Sequence, residues 1–208
     1  MEVLVPAHRQ GAARRVFGKC LNLRGRRGWS LIFGLWLVWA GLGTGEAFGQ
    51  AVSREYPLKA VFLLNFAHYT RWPTNAFEHP DSPFVIGVYG EDPFGPLLDD
   101  VVRDETLDGR KIVVARYRRG EAIGACHILF VGQPETRRLD KVLADLNGRP
   151  VLTVRDVGNA PYEGMCVQFL TENNKIRLRI SPQALKAADL TMSSKLLRTA
   201  ELVPADNR

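Results

Sequence analysis

The chain of 208 residues has room for one ordinary domain and a short leader, and its 46% hydrophobic and 24% charged residues are typical of a globular protein. The formal charge of +6 is unevenly spread, because seven of the 28 basic residues but only two of the 22 acidic residues lie in the first 49 positions. The rest of the chain is nearly neutral, which argues against a nucleic-acid-binding surface.

The first 49 residues have the parts of an export signal. A basic region extends to about residue 30 and an apolar run covers residues 31–42, which is shorter than the roughly 20 residues of a membrane span. Small residues then precede Gln50 at the positions typical of signal-peptide cleavage. We predict a signal peptide over residues 1–49, cleaved between Gly49 and Gln50, which directs the protein to the periplasm. A retained membrane anchor and a buried core helix are the alternatives.

The exported part begins with a helical pattern from about residue 53 to Trp72. Apolar residues recur at helical spacing, Pro57 is tolerated in the first turn, and Pro73 ends the pattern because it disfavours a helical conformation at the residue before it. A helix with so many apolar residues is expected to be largely covered by the rest of the domain.

The remaining chain alternates between strand and helix patterns. Strands are predicted over residues 84–89, 111–117, 127–131, 149–154, 165–170 and 175–180, and helices over 96–104, 135–146, from 181 onwards and over 194–202. Strands separated by helices imply a largely parallel sheet with helices on both faces. The last two strands flank an Asn-Asn turn and predict a C-terminal β-hairpin. The fold class is therefore a single α/β domain, residues 50–208, with a mixed, mostly parallel sheet.

No catalytic set is recognisable in the exported part. Cys126 and His127 are adjacent and suggest a thiol–imidazole pair, but neighbouring residues of a strand point to opposite faces, which favours structural roles. The histidines lack metal-ligand spacing and no Cys-x-x-Cys pair is present. The sequence thus predicts neither an enzyme, nor a metal site, nor a cofactor.

Two segments are candidate binding sites. Loops at the carboxyl ends of parallel strands form a crevice where open α/β sheets bind ligands, and this crevice would include Gly90, Gly95, Gly132, Gln133 and Asp156. The alternative for residues 90–95 is a tight turn with Asp92 near the start of a helix.

The second segment lies on the first helix, where three polar residues follow one another at helical spacing and a tryptophan comes after them. The candidate partner interface consists of Asn65, His68, Arg71 and Trp72. The alternative is a polar stripe that faces water.

Cys126 and Cys166 are the cysteines left after cleavage, because Cys20 belongs to the leader. An even number of cysteines in an oxidising compartment favours a disulfide, and both residues stand at the entrance of a predicted strand. The alternative is a pair of buried, unpaired thiols.

Several segments, taken together and in order, resemble the YfiR family of exported bacterial proteins. They are residues 59–67 with Tyr69, Trp72 and Pro73, then 90–95, 126–131, 148–154 and 193–198. The namesake of the family holds a membrane-bound diguanylate cyclase inactive from the periplasmic side. Members with internal disulfides often have a cysteine near the position of Gly87, which this sequence lacks.

Two classes of function follow. The first, implied by the resemblance, is a regulatory protein that binds the periplasmic sensory domain of a membrane signalling protein of the diguanylate cyclase type and thereby acts in cyclic-di-GMP signalling. The second is a periplasmic small-molecule sensor or binding protein that uses the crevice at the strand ends. The two are compatible, since a small-molecule effector can release a regulator. The sequence leaves the oligomeric state open, a homodimer included.

Overall fold

The computed structural model describes residues 55–203 except 133, 134, 136, 137, 157–163 and 174. The predicted signal peptide and the crevice residue Gln133 lie outside the described residues, so both stay predictions. Within the described part, no helix has the length and apolar character that crossing a bilayer requires.

The first helix, α1 (Glu55–Tyr69), buries one face and leaves another in solvent. Ala60, Leu63 and Phe66 pack in the core at helical spacing. On the opposite side Leu58 and Val61 are 48% and 42% exposed. The expectation of a largely covered helix therefore holds for one face only.

The other elements comprise the predicted strands and helices in the predicted order and five short elements that the sequence did not predict. They are β1 (Thr70–Arg71), a 3-10 turn (Thr74–Ala76), β2 (Phe84–Tyr89), α2 (Pro96–Val102), β3 (Thr106–Leu107), β4 (Arg110–Tyr117), β5 (Ile128–Val131), α3 (Leu139–Asp145), β6 (Leu152–Asp156), β7 (Val167–Glu172), β8 (Lys175–Ile180), α4 (Pro182–Ala187), β9 (Thr191–Met192), α5 (Ser194–Leu197) and β10 (Glu201–Leu202).

Eight strands form one mixed sheet in the order β10-β8-β7-β6-β5-β2-β4-β3. The pairs β3–β4 and β7–β8 are antiparallel and the other pairs are parallel. This arrangement confirms the predicted mixed, mostly parallel sheet and its C-terminal hairpin, β7–β8. The short strands β1 and β9 pair with each other, apart from the main sheet.

Each face of the sheet carries its own hydrophobic core, because side chains alternate along every strand. Ile86 of β2 faces the larger core, which α1, α2, α4 and α5 cover. Tyr89 faces the smaller core, which includes Leu139 and Val142 of α3. Helices on both faces are thus confirmed.

The closing segment differs from its prediction. Instead of a helix over residues 194–202, α5 ends at Leu197 and the chain then forms β10 beside β8. A two-residue strand has no periodicity that a sequence pattern could show. Its conformation depends on the free edge of β8, which only the assembled sheet provides.

Candidate functional site

The predicted crevice lies where the strand order changes direction. The chain runs from β2 to β4 on one side and then crosses to β5 on the other side of β2. The loops after β2 and β5 therefore diverge, which is the usual position of a ligand site in such sheets. Gly90 follows β2, Gly132 follows β5 and Asp156 ends β6, so the structure brings these predicted residues to the same edge.

A carboxylate of the protein itself occupies the described part of this crevice. Glu135 is 1% exposed, and a Cβ atom added to Gly90 would lie 2.6 Å from the Glu135 Cγ atom. Arg119 donates from Nε to Glu135 Oε1 over 2.7 Å. A buried carboxylate at this position disfavours an anionic ligand, and the absence of a side chain at Gly90 is what makes room for Glu135.

The turn after β2 is held by hydrogen bonds to an aspartate. Asp92 Oδ1 accepts from the backbone N–H groups of Phe94 and Gly95 over 2.8 and 3.2 Å. Its other oxygen accepts from Arg116 Nε of β4 over 2.7 Å. These contacts favour the tight-turn interpretation of residues 90–95 over an anion site.

Asp156 takes part in a buried ionic cluster that sequence analysis missed. Lys59 of α1 is 1% exposed, and its Nζ atom lies 2.6 Å from Asp156 Oδ1 and 2.5 Å from Glu55 Oε1. The ammonium group also lies 5.1 Å from the centroid of the Tyr56 ring and 5.7 Å from that of Phe169. The sequence feature that could have indicated this cluster is the single lysine on the otherwise apolar face of α1, four residues before Leu63.

Tyr56 of α1 lies beside this cluster and contacts both Lys59 and Asp156. Burial, together with the charge of Asp156 and a hydrogen bond to it, raises the pKa of Tyr56 to about 12. The phenol therefore stays protonated at neutral pH. The contacts of this cluster connect the first turn of α1 to the carboxyl end of β6, so its role is to stabilise the fold.

The four residues of the candidate interface have different surroundings. His68 and Arg71 are exposed and line a cleft of about 430 Å³ together with Thr191 and Ser194. Asn65 is half-buried. The role of all four in binding a partner stays a prediction.

Trp72 contributes to packing. Its ring lies 4.8 Å from that of Phe84 in an edge-to-face arrangement, and its Nε1–H donates to the His127 carbonyl over 3.3 Å. The tryptophan thus fastens the segment after β1 to β2 and β5. It is a less accessible anchor for a partner than Arg71.

His127 is buried and holds three segments together. Its Nδ1 accepts from the Val85 N–H over 3.0 Å, and its Nε2 lies 3.1 Å from the Ala76 carbonyl, so the neutral tautomer protonated at Nε2 satisfies both contacts. The ring stacks between Phe77 and Phe84 at 4.4 and 4.7 Å. Burial lowers the pKa of His127 to about 4.

We expect the stability of the protein to fall at mildly acidic pH because of His127. Its folded pKa lies below the unfolded value of about 6.5, so the unfolded state binds the proton more readily. Above about pH 6.5, neutral His127 contributes roughly 1–3 kcal/mol to the free energy of unfolding. This contribution is lost as the pH falls toward 4.

Urea denaturation of the native protein and of His127→Gln across this pH interval checks the expectation. The variant should be less stable at neutral pH and should lose less stability on acidification. Equal pH slopes for the two proteins would contradict the assignment.

Both cysteines are free and buried, so the predicted bridge between Cys126 and Cys166 is not formed. The register places Ile128 beside Leu152 and Val154 beside Val167, so β6 separates the strands that follow the two cysteines. Two strand spacings of about 4.8 Å each exceed the Cα separation of about 7 Å that a disulfide tolerates. The two side chains also pack in different cores.

The surroundings of Cys126 and His127 favour structural roles for both residues. Burial raises the pKa of the Cys126 thiol to about 11, so the reactive thiolate is scarce at neutral pH. Both ring nitrogens of His127 are engaged by backbone groups, so the ring cannot act as the base. Among the described residues, no group of three or more histidine, cysteine, aspartate or glutamate side chains is arranged to hold a metal ion.

The chain matches the model of a known protein family. The model of the YfiR/HmsC-like family matches residues 56–201, which is nearly the whole described part of the chain. A search of curated proteins finds no significant match.

Proposed function

The chain belongs to the YfiR/HmsC-like family, and from this membership we propose that it is a periplasmic regulator of membrane signalling. In the specific form of the proposal, it binds the periplasmic sensory domain of a membrane-bound diguanylate cyclase and restrains the enzyme. The family match over residues 56–201 is the observation that carries the proposal.

The local chemistry supports a binding protein rather than an enzyme. The buried titratable groups described above have structural partners: Lys59 with Asp156, Glu135 with Arg119, and His127 with two backbone groups. Polar groups committed in this way are not poised for proton transfer or nucleophilic attack. A regulator needs only an accessible surface, and the exposed part of α1 around His68, together with the neighbouring Arg71 of β1, supplies one.

The proposed location is the periplasm, reached through the predicted signal peptide and cleavage between Gly49 and Gln50. The basic and apolar regions of residues 1–49 support this part of the proposal.

A small-molecule effector is the second candidate function, and one observation favours it. The cleft of about 430 Å³ beside His68 and Arg71 has the size of a small-ligand site and polar groups on its walls. A ligand there would contact the same residues as the proposed partner. The two functions would then be linked by competition for one surface.

Deletion of the gene in its own bacterium is expected to raise cellular cyclic-di-GMP several-fold, because the cyclase loses its restraint. Quantification of the nucleotide by mass spectrometry checks this result. Expression of the full-length gene should restore the original level, whereas expression of residues 50–208 without the leader should not. Unchanged cyclic-di-GMP in the deletion strain would assign the protein to another signalling target.

A further inference from the structure

The turn between α3 and β6 contains an asparagine followed by a glycine, Asn147 and Gly148. The Arg149 N–H donates to the Leu146 carbonyl over 2.9 Å, so residues 146–149 form a β-turn. Gly148 has a φ of +76°, whereas the φ of Asn147 is not positive, which is the pattern of a type II turn. The left-handed conformation after Asn147 is what favours glycine at position 148.

Both residues of this turn are open to water. Asn147 and Gly148 are exposed, and a Cβ atom added to Gly148 would have no neighbour within 4 Å. Within the part of the chain that the structure describes, no group accepts a hydrogen bond from the Gly148 N–H, and none bonds to the side-chain amide of Asn147. The side-chain amide and the following backbone nitrogen are therefore adjacent, hydrated and not held by other contacts.

An asparagine with these surroundings reacts with its own backbone. The Gly148 nitrogen loses its proton and attacks the side-chain carbonyl carbon of Asn147, so that a C–N bond forms and the side-chain nitrogen leaves as ammonia. The resulting cyclic imide adds one water molecule and opens at either of its two carbonyl groups, which gives aspartate or isoaspartate. One water is consumed and one ammonia is released, and no oxidant or reductant is required. Glycine permits the attack because it has no Cβ atom to hinder the approach.

We propose that Asn147 deamidates spontaneously in the folded protein and that this change loosens the loop that precedes β5. Arg149 links the two places. Its Nη1 donates to the Ile123 carbonyl over 2.9 Å and its Nη2 donates to the Gly124 carbonyl over 2.5 Å, so the side chain that follows the turn fastens this loop. The inference goes beyond the proposed regulatory function and does not depend on it.

The products of the reaction disturb the position of Arg149 in two ways. Isoaspartate lengthens the backbone of the turn by one carbon atom, which changes the geometry of the bond between the Arg149 N–H and the Leu146 carbonyl. Either product also places a new carboxylate just after the carboxyl end of α3, where the helix dipole is negative and the exposed Asp145 already lies. Both changes favour local opening of the turn.

The chain supplies its own control for the site of reaction. Asn75 is exposed like Asn147, but it is followed by Ala76, whose side chain hinders attack by the backbone nitrogen. Asn65 lies within α1, where the helical hydrogen bonds fix the backbone. The reaction is therefore expected at Asn147 and not at these two positions.

Peptide mapping by mass spectrometry tests the site. Freshly purified, processed protein incubated in water enriched in heavy oxygen should acquire one heavy oxygen atom in the peptide that contains Asn147, whereas the peptide that contains Asn75 stays unchanged. The reaction should be faster at mildly alkaline pH, because it needs the deprotonated Gly148 nitrogen. Asn147→Gln should not acquire the label over the same time, since its longer side chain closes the ring far more slowly.

A synthetic peptide of residues 144–151 measures the same reaction without the fold. Labelling of the native protein at a rate comparable to that of the peptide supports the proposal. A peptide that reacts while the native protein does not would overturn it, because the folded turn would then protect Asn147. Equal labelling at Asn75 would also contradict the role of Gly148.

Hydrogen exchange tests the effect on the loop. The converted protein carries one additional negative charge and can be separated by ion exchange. Its amides at residues 123–126 should exchange several-fold faster than those of the unconverted protein, whereas the amides of β7 should exchange at the same rate in both. Asn147→Gln, incubated in the same way, should keep the slow exchange. Unchanged exchange at residues 123–126 after complete conversion would overturn the proposed loosening.

Discussion

Replacement of Lys59 by methionine is expected to lower the free energy of unfolding by about 3–5 kcal/mol, as the loss of one partner of a buried ion pair does. The lysine is 1% exposed, and Asp156 beside it is also buried. Methionine nearly preserves the volume of the side chain but leaves the carboxylate of Asp156 without its counter-charge. The cost is therefore mainly that of an uncompensated buried charge rather than of a cavity.

Denaturation by urea measures the effect, and two further variants show its origin. The double variant Lys59→Met with Asp156→Leu removes both charges and should recover much of the lost stability, because an apolar pair can replace a buried ion pair at little cost. Lys186→Met, at an exposed position of α4, should change stability by less than about 0.5 kcal/mol. A Lys59→Met variant as stable as Lys186→Met would show that the cluster is not important for the fold.

Replacement of Gly87 by cysteine is expected to create a disulfide with Cys126 and to stabilise the protein by about 4 kcal/mol. A Cβ atom built on Gly87 lies 3.4 Å from the Cβ atom of Cys126, close to the separation of about 3.5–4.5 Å found in disulfides. The bond would close a loop of about 40 residues, for which the chain-entropy model gives this gain. The same Cβ lies 2.9 Å from Leu129 Cδ1 and Tyr117 Cε2, so these side-chain ends must shift and will reduce the gain.

Thiol titration of the processed, unreduced and unfolded variant should find one free thiol, that of Cys166. The melting temperature should rise and should return on reduction. Gly87→Ser introduces the same crowding without the bond and is expected to be less stable than the native protein. Three free thiols in Gly87→Cys would contradict the geometry.

The contact between Gly87 and Cys126 bears on the difference in cysteines that accompanies the resemblance to the YfiR family. Members of the family with internal disulfides often have a cysteine near the position of Gly87, and the structure places that position against Cys126. The prediction of a bond to Cys166 was wrong because an even number of cysteines says nothing about which strands are neighbours.

The positions of most strands and helices could be predicted because their signals are local. The strand over 84–89 and the helix that begins at residue 96 were predicted at these positions, since an apolar run between turn residues and a proline in the first helical turn are visible without the fold. The short strands β1, β3, β9 and β10 could not be predicted, because each has two residues and depends on a partner distant in sequence.

The candidate site was predictable only in part. The sequence predicted that the loops at the carboxyl ends of the strands lie together at one edge of the sheet. Gly90, Gly132 and Asp156 lie at that edge. The side chains that occupy this edge, Lys59 and Glu135, were missed. Lysine and glutamate are usually exposed, and a sequence does not show that each of these two is buried beside a group of opposite charge.

The sequence by itself determined the α/β class and the burial of both faces of the sheet, because these follow from the spacing of apolar residues. It also determined the family, because the resembling segments occur along the chain in the order typical of that family. The tertiary structure alone decided which strands are neighbours, and with that the free state of Cys126 and Cys166 and the partners of Lys59 and Glu135. The physical reason is that strand pairing and ionic contacts join residues far apart in the chain, so no local pattern specifies them.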